Sequence, residues 1–274
     1  MSSGSMFSVM VPVDFTDKSI HALSAAASLV REKKGIIQLV HVVDSSPESL
    51  DRSIIEAKEK LLAFAQKHQE ELQVALIPNI VTGNIFTTIG DTASRLGVQL
   101  IVMGVHGLHG IQFIIGSFAV RVILGSLVPV LLVNDAFNIK AFKNIVLPID
   151  SSVKMNYMLG KTIEMARQYN STIHLFAEIS SMSFFQRRLV SFRLQKAAKR
   201  IRNSGIPCQV ITMDGVASDF AESVTQYAGN VNAQMIALSM QTRNRSKEFL
   251  VGKTATRLVE KSRIPLYIVN PQKQ

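Results

Sequence analysis

The apolar residues of this chain form short runs that alternate with helical patterns. In residues 1–137, five runs rich in aliphatic and β-branched residues are separated by segments whose apolar positions recur every three or four residues. The runs lie at 8–13, 36–43, 74–81, 99–104 and 129–133. Continuous apolar runs of this length are typical of parallel strands buried on both faces. The order βαβαβαβαβ therefore predicts a doubly wound, Rossmann-like α/β domain with right-handed crossovers.

The helices between these strands are predicted from apolar stripes. The stripes run through residues 20–30, 54–65 and 85–96, and a fourth helix is predicted after Ser117. Gly97 follows the third stripe, at the position where a left-handed glycine commonly ends a helix.

The second half of the chain repeats the first. Val9–Asp14 resembles Ile145–Asp150 at a spacing of 136 residues, and Gln99–Gly104 resembles Gln234–Ser239 at a spacing of 135. Two copies are too few for a solenoid, so the pattern indicates a duplicated domain. We predict two tandem domains of five strands each, residues 1–137 and 138–274.

The residues that follow the strands carry the candidate chemistry of the first domain. Asp14 follows the first strand, and a glycine-rich segment from Gly104 to Gly116-Ser117 follows the fourth. Ligands of doubly wound sheets bind at the carboxyl ends of strands, where the strand order reverses. Glycines allow close backbone approach, a helix start offers N–H groups to an anion, and an aspartate accepts hydrogen bonds from a ribose. This combination indicates nucleotide binding.

These residues resemble the universal stress protein family, and the resemblance covers both halves of the chain. The family pattern has an aspartate after the first strand and Gly-x2-Gly-x9-Gly-Ser/Thr after the fourth. In the first domain eight residues, rather than nine, separate Gly107 from Gly116. The resemblance implies binding of ATP or a related adenine nucleotide. It leaves open whether Mg²⁺ binds with the nucleotide. It implies these site residues: Asp14 and Val42 at the adenine and ribose, Met103, Gly104 and Gly107 at the turn, and Gly116, Ser117 and Phe118 at the phosphates.

The second domain departs from the family pattern at four positions. Glu178 stands where the first domain has Val42, Ser239 and Thr242 replace the two glycines of the turn, and Lys253 replaces the final hydroxyl residue. The side chains of Ser239 and Thr242 would block close approach of a nucleotide to the backbone of the turn. Glu178 would add bulk and negative charge at the position of the adenine. We predict that this domain does not bind ATP, and is either a structural partner or a site for another anion.

The charge of the chain is concentrated in the second domain. The formal net charge is +10, yet residues 1–137 carry 10 Lys and Arg against 12 Asp and Glu, while residues 138–274 carry 20 against 8. Residues 187–202 hold a row of basic side chains that could face nucleic acid, acidic lipid or protein, or simply solvent. Because no RNA-binding aromatic motif accompanies the row, nucleic acid is not favoured.

Several other classes are disfavoured by composition and motif. A single cysteine, Cys208, excludes a disulfide framework, and its strand-like surroundings favour a buried thiol. The apolar stretch 111–133 contains Arg121, Pro129 and two Gly-Ser pairs, so we do not expect it to span a membrane. The N-terminus lacks a secretory signal, and we expect a cytoplasmic protein. His41, His106 and His109 lack a carboxylate or cysteine that would complete a metal signature.

Two function classes remain open. The first is an adenine-nucleotide-binding regulatory protein of the stress response, with hydrolysis slow or absent because no general base or P-loop lysine is evident. The alternative is a scaffold that binds no nucleotide, in which the two domains pair and present a basic surface to an anionic partner. The sequence leaves open whether two chains form a homodimer.

Overall fold

The protein is represented by a computed structural model that describes residues 6–44, 50–105, 117–134, 142–149, 155–179, 182–214, 219–240 and 253–271. The chain divides into two compact units, Met1–Ile139 and Lys140–Gln272. Each is an α/β unit with a parallel sheet, as the apolar pattern predicts.

The first unit alternates strands and helices along the chain. Its strands are β1 (Ser8–Pro12), β2 (Ile36–Val43), β3 (Ala75–Thr82), β4 (Leu100–Gly104) and β5 (Val130–Val133). Its helices are α1 (Asp17–Arg31), α2 (Leu50–Leu72), α3 (Ile85–Arg95) and α4 (Ser117–Gly125). The sheet order is β3-β2-β1-β4-β5, so the strand order reverses between β1 and β4. This reversal defines the topological switch point of a doubly wound sheet.

The second unit has the same arrangement. Its strands are β6 (Asn144–Pro148), β7 (Thr172–Glu178), β8 (Cys208–Met213), β9 (Met235–Ser239) and β10 (Leu266–Val269). Its helices are α5 (Met155–Tyr169), α6 (Phe184–Asn203), α7 (Phe220–Asn230) and α8 (Lys253–Lys261). The order β10-β9-β6-β7-β8 again reverses after the first strand of the unit, between β6 and β9.

Equivalent glutamines fasten the first strand of each unit. The Gln99 side-chain carbonyl accepts a hydrogen bond of 2.7 Å from the Ser8 backbone N–H at the start of β1. The Gln234 carbonyl accepts one of 2.9 Å from the Asn144 N–H at the start of β6. These glutamines are the paired residues of the sequence repeat, so the repeat preserves a specific contact at the amino ends of the strands.

Equivalent serines shape the turn into the last strand of each unit. The Ser126 hydroxyl donates to the Val128 carbonyl and accepts from the Val128 N–H, at 2.8 and 2.9 Å. The Ser262 hydroxyl makes the same pair of bonds to Ile264, at 2.8 and 3.1 Å. The turn is thus closed identically at the amino ends of β5 and β10.

The end of α3 agrees with the sequence prediction. Gly97 follows Leu96, the residue that caps α3, and adopts φ +63°. The Val98 N–H donates back to the Ala93 carbonyl at 3.2 Å, which closes the helix with a Schellman motif. Within the part of the chain that the structure describes, no helix is long and apolar enough to cross a membrane.

The second unit contains a polar network around the buried His174 that the sequence did not signal. His174 of β7 contacts the Tyr227 hydroxyl through Nδ1 at 2.9 Å and the Asn144 Oδ1 through Nε2 at 3.2 Å. The Asn144 amide donates to the Val231 carbonyl, so its oxygen faces the histidine. This arrangement suits a neutral ring that donates from Nε2 to Asn144 and accepts at Nδ1 from Tyr227. Burial lowers the pKa of His174 below its ordinary value of 6.5.

This network predicts a loss of stability in mild acid. The unfolded chain takes up a proton at His174 near pH 6.5, whereas the folded chain resists it because the folded pKa is lower. The contribution of His174 to the free energy of unfolding is therefore fully present above pH 6.5. It is lost progressively as the pH falls from there toward the lowered pKa of the folded chain. His174→Gln, which introduces the residue found at the matching position Gln38, should weaken this dependence. The free energy of unfolding of both proteins is measured by urea denaturation at several pH values between about 7 and 5. If it changed equally with pH in both proteins, the prediction would be contradicted.

Candidate functional site

The switch point brings four of the predicted site residues to one edge of the first sheet. Strand β1 lies between β2 and β4, in register at Val9 with Ile37 and with Leu100. Asp14 follows β1, Val42 lies near the end of β2, and Met103 and Gly104 end β4. Because the strands are parallel, these carboxyl ends meet on one side of the sheet.

Asp14 is held in place through one of its two carboxylate oxygens. Its Oδ1 accepts hydrogen bonds from the Thr16 N–H at 3.0 Å, from the Thr16 hydroxyl at 2.6 Å and from the Ser19 hydroxyl. The Ser19 oxygen in turn accepts from the Asp14 N–H at 3.1 Å. Within the described residues, no hydrogen bond reaches Oδ2. The carboxylate is therefore oriented by its own loop, while Oδ2 remains able to accept hydrogen bonds from a ligand.

These hydrogen bonds also keep Asp14 ionised. Partial burial favours the neutral acid, but the hydrogen bonds from Ser19 and Thr16 outweigh it, and the pKa of Asp14 lies below its ordinary value of 3.8. At neutral pH the side chain is a fixed, negatively charged acceptor.

Gly104 permits a close contact within the protein itself. A Cβ built on Gly104 would lie 2.2 Å from the carbonyl oxygen of Lys18, in the first turn of α1. The sequence suggested that glycines in this segment admit a ligand. At Gly104 the structure gives a different reason, because the absent side chain leaves room for the start of α1 against the end of β4. Gly104 thereby fixes the loop that carries Asp14.

Aromatic residues beside Asp14 form a cluster that sequence reasoning missed. Phe15 adopts a left-handed backbone conformation (φ 64°), and its ring lies 4.8 Å from the His41 ring and 5.8 Å from the Phe64 ring, between centroids. The Lys60 ammonium lies 4.4 Å from the Phe15 ring centroid. His41 donates from Nδ1 to the Val13 carbonyl at 2.7 Å. The cluster holds the turn after β1, and no spacing in the sequence could have signalled contacts between such distant segments.

The other predicted residues are placed as follows. Met103 is buried, so only its backbone is available at the strand end, whereas Val42 is half-buried. Gly107 and Gly116 lie outside the described residues, and Ser117 is the first residue of α4. The Phe118 ring packs against Phe86 of α3 at 6.1 Å between centroids.

The matching positions of the second unit carry polar side chains. Glu178, in the place of Val42, accepts a hydrogen bond of 2.8 Å from the buried Ser223 hydroxyl of α7. Ser239, in the place of Gly104, has a buried hydroxyl with no hydrogen-bond partner in the described residues. The strand ends that are glycine and valine in the first unit are therefore altered in the second.

Other candidate chemistry receives no support from the described residues. In the ranges that the structure describes, no three His, Cys, Asp or Glu side chains are grouped for metal binding, while His106 and His109 lie outside those ranges. Cys208 is half-buried at the start of β8, and desolvation raises the pKa of its thiol despite the opposing charge of Arg202. A raised pKa disfavours the reactive thiolate.

Comparison with known proteins identifies the family. The family model described as "Universal stress protein family" matches this chain twice, over residues 6–134 and 141–270. The chain belongs to the universal stress protein family. The two matches show that it is a tandem member, as the repeat predicted.

Individual family members resemble one half or the whole of this chain. A universal stress protein of Methanocaldococcus jannaschii is 29% identical over 136 residues, which cover 46% of this chain and 80% of that protein. A crystal structure of a universal stress protein from Archaeoglobus fulgidus covers 96% of this chain and 98% of its own, at 18% identity and a TM-score of 0.76. This second likeness shows that the family fold extends through both units.

Proposed function

We propose that the first unit of this universal stress protein binds an adenine nucleotide, and that binding serves regulation rather than turnover. Asp14 and Val42 receive the nucleoside, and the segment Gly116–Phe118 receives the phosphates. The second unit does not bind the same ligand, because Glu178 and Ser239 occupy the corresponding strand ends.

The state of Asp14 carries this proposal. Three donors act on Oδ1, whereas Oδ2 accepts no hydrogen bond from the described residues. An ionised carboxylate with one oxygen fixed and the other available suits the paired hydroxyls of a ribose, which donate hydrogen bonds to a single acceptor group. Charged acceptors form stronger hydrogen bonds than neutral ones. The loop is also organised before the ligand arrives, which reduces the entropic cost of binding.

The phosphate end of the proposed site rests on the family resemblance and on the start of α4. Gly107, Gly116 and Ser117 match the glycine and hydroxyl positions of the family pattern. Ser117 begins a helix, and the unpaired N–H groups of a helix start favour an anion. Mg²⁺ would reduce the repulsion between phosphate oxygens, so its effect on affinity is part of the test.

Asp14→Asn is expected to weaken ATP and AMP binding about 10- to 100-fold, the range for loss of a charged hydrogen-bond acceptor. The variant keeps the shape of the side chain but removes its charge. Isothermal titration calorimetry with both nucleotides, with and without Mg²⁺, measures the effect. Equal loss for ATP and AMP would place Asp14 at the nucleoside rather than at the phosphates.

Asp150→Asn is the matched control, because Asp150 occupies the equivalent position of the second repeat. Its affinity for nucleotide should equal that of the unaltered protein. Failure of the unaltered protein to bind either nucleotide at millimolar concentration would refute the proposal and favour the scaffold function. Equal losses in both variants would show that the two units do not differ as proposed.

A further inference from the structure

Helix α6 of the second unit has two apolar faces. One consists of buried residues that pack against the sheet: Val190, Leu194, Ala197, Ala198 and Ile201. The other is exposed and consists of Phe185, Leu189 and Phe192, whose side chains follow one another at spacings of four and three residues. At 100° per residue this second stripe lies on the side of the helix opposite the buried one. A helix that only covered the sheet would need the first face alone.

The exposed stripe is large and its helix is well formed. Phe185 is 81% exposed, Phe192 63% and Leu189 43%, and the ring of Phe184, 72% exposed, lies 5.9 Å from that of Phe185. The start of the helix is fixed by a capping box between Ser183 and Gln186. Three phenylalanines at these exposures present on the order of 400 Å² of apolar surface. Contiguous apolar patches of a few hundred Å² on monomeric proteins are often functional.

Basic residues surround this stripe, and α6 contains no acidic residue. The helix holds seven cations: Arg187, Arg188, Arg193, Lys196, Lys199, Arg200 and Arg202. Lys196 and Lys199 continue the line of the stripe beyond Phe192, and Arg188 and Arg193 flank it on either side. Arg188, Lys196 and Lys199 take part in none of the ion pairs found among the described residues.

The corresponding helix of the first unit differs in both respects. Helix α2 carries four basic and five acidic residues, and Arg52 pairs with Glu56 at 3.0 Å. Its largest exposed apolar side chains are Ile55 and Leu62. The basic, aromatic face is therefore specific to the second unit and is not a requirement of the fold. It also accounts for part of the basic excess of residues 138–274.

We propose that the exposed face of α6 binds the surface of an anionic phospholipid bilayer. Phenylalanine and leucine enter the boundary between headgroups and acyl chains, while arginine and lysine extend their charged ends toward lipid phosphates. A nucleic acid would require cations at the centre of the face, whereas here the centre is aliphatic and aromatic. The helix would lie in the plane of the membrane surface and would not cross it.

Vesicle sedimentation with the full-length protein tests this proposal. Vesicles of phosphatidylcholine alone are compared with vesicles that also contain phosphatidylserine or phosphatidylglycerol. The protein should bind the anionic vesicles at least about tenfold more tightly, and added salt should weaken this binding. The double variants Phe185→Ser/Phe192→Ser and Arg188→Glu/Lys196→Glu should each reduce the affinity about tenfold or more. All four residues are exposed, so circular dichroism and the thermal midpoint should remain unchanged.

The double variant Ile55→Ser/Leu62→Ser on α2 is the matched control and should retain vesicle binding. The proposal is overturned if the protein binds no vesicles, if it binds neutral and anionic vesicles equally, or if the α6 variants bind as the unaltered protein does. Tighter binding of a fluorescent oligonucleotide that the α6 variants abolish would assign the face to nucleic acid instead. Self-association lost in the Phe185→Ser/Phe192→Ser variant would assign it to a second copy of the chain. Neither result depends on whether the first unit binds nucleotide.

Discussion

Gly104→Ala should reduce the free energy of unfolding by about 3 kcal/mol, because the added methyl group has no room. It would lie 2.2 Å from the Lys18 carbonyl oxygen and 2.8 Å from its carbon, and neither backbone atom can rotate away. The start of α1 must move, and Asp14 with Ser19 must move with it. The variant should therefore also lose affinity for nucleotide. Urea unfolding followed by circular dichroism measures the first effect, and calorimetry the second.

Gly229→Ala is the control for this substitution. Gly229 lies in α7, and a Cβ added there meets no heavy atom within 4 Å. Alanine is favoured over glycine in a helix, so this variant should gain roughly 0.5 kcal/mol of stability. If the two alanine variants unfolded at the same urea concentration, the close contact between α1 and β4 would not be a constraint in solution.

Phe176→Ala should reduce the free energy of unfolding by about 3–5 kcal/mol through the cavity that it leaves. Phe176 is fully buried in β7, and its ring stacks on Tyr227 at 5.1 Å and on Phe220 at 6.1 Å between centroids. Loss of the ring also removes the stacking partner of Tyr227, whose hydroxyl is hydrogen-bonded to His174. We therefore expect a lower urea midpoint and a loss of near-ultraviolet circular dichroism from the tyrosine.

Phe185→Ala provides the comparison, since it removes the same side chain from an exposed position on α6. Its effect on stability should be within about 0.5 kcal/mol of zero. Similar destabilisation by the two phenylalanine variants would mean that the second face of α6 is covered in solution.

The strands and helices were predictable because the apolar pattern follows from burial. An apolar run such as Ile36–Val43 is typical of a strand buried on both faces of a parallel sheet. The sequence repeat predicted the same order of strands and helices in the second half. Asp14 could be selected because topology alone places the end of the first strand at the switch point. Gly104 was also selected, although its contact with Lys18 shows a reason that spacing could not reveal.

The contacts that complete the site were not predictable. Phe15 and His41 lie 26 residues apart in the chain, and only the pairing of β1 with β2 brings their rings together. The roles of Thr16 and Ser19 depend on side-chain rotamers around Asp14, which no periodicity specifies. His174 carried no pattern in the sequence, because its partners Tyr227 and Asn144 come from other elements of the fold.

The two repeats agree at one end of each sheet and differ at the other. Gln99 with Gln234, and Ser126 with Ser262, secure the amino ends of strands by the same bonds in both repeats. The residues at the carboxyl ends differ between the repeats, with Glu178 in the place of Val42 and Ser239 in the place of Gly104. The amino ends of the strands thus keep the same contacts in both repeats. Side chains at the carboxyl ends can change without loss of these contacts. A duplicated domain built in this way can carry different chemistry in each copy on one shared architecture.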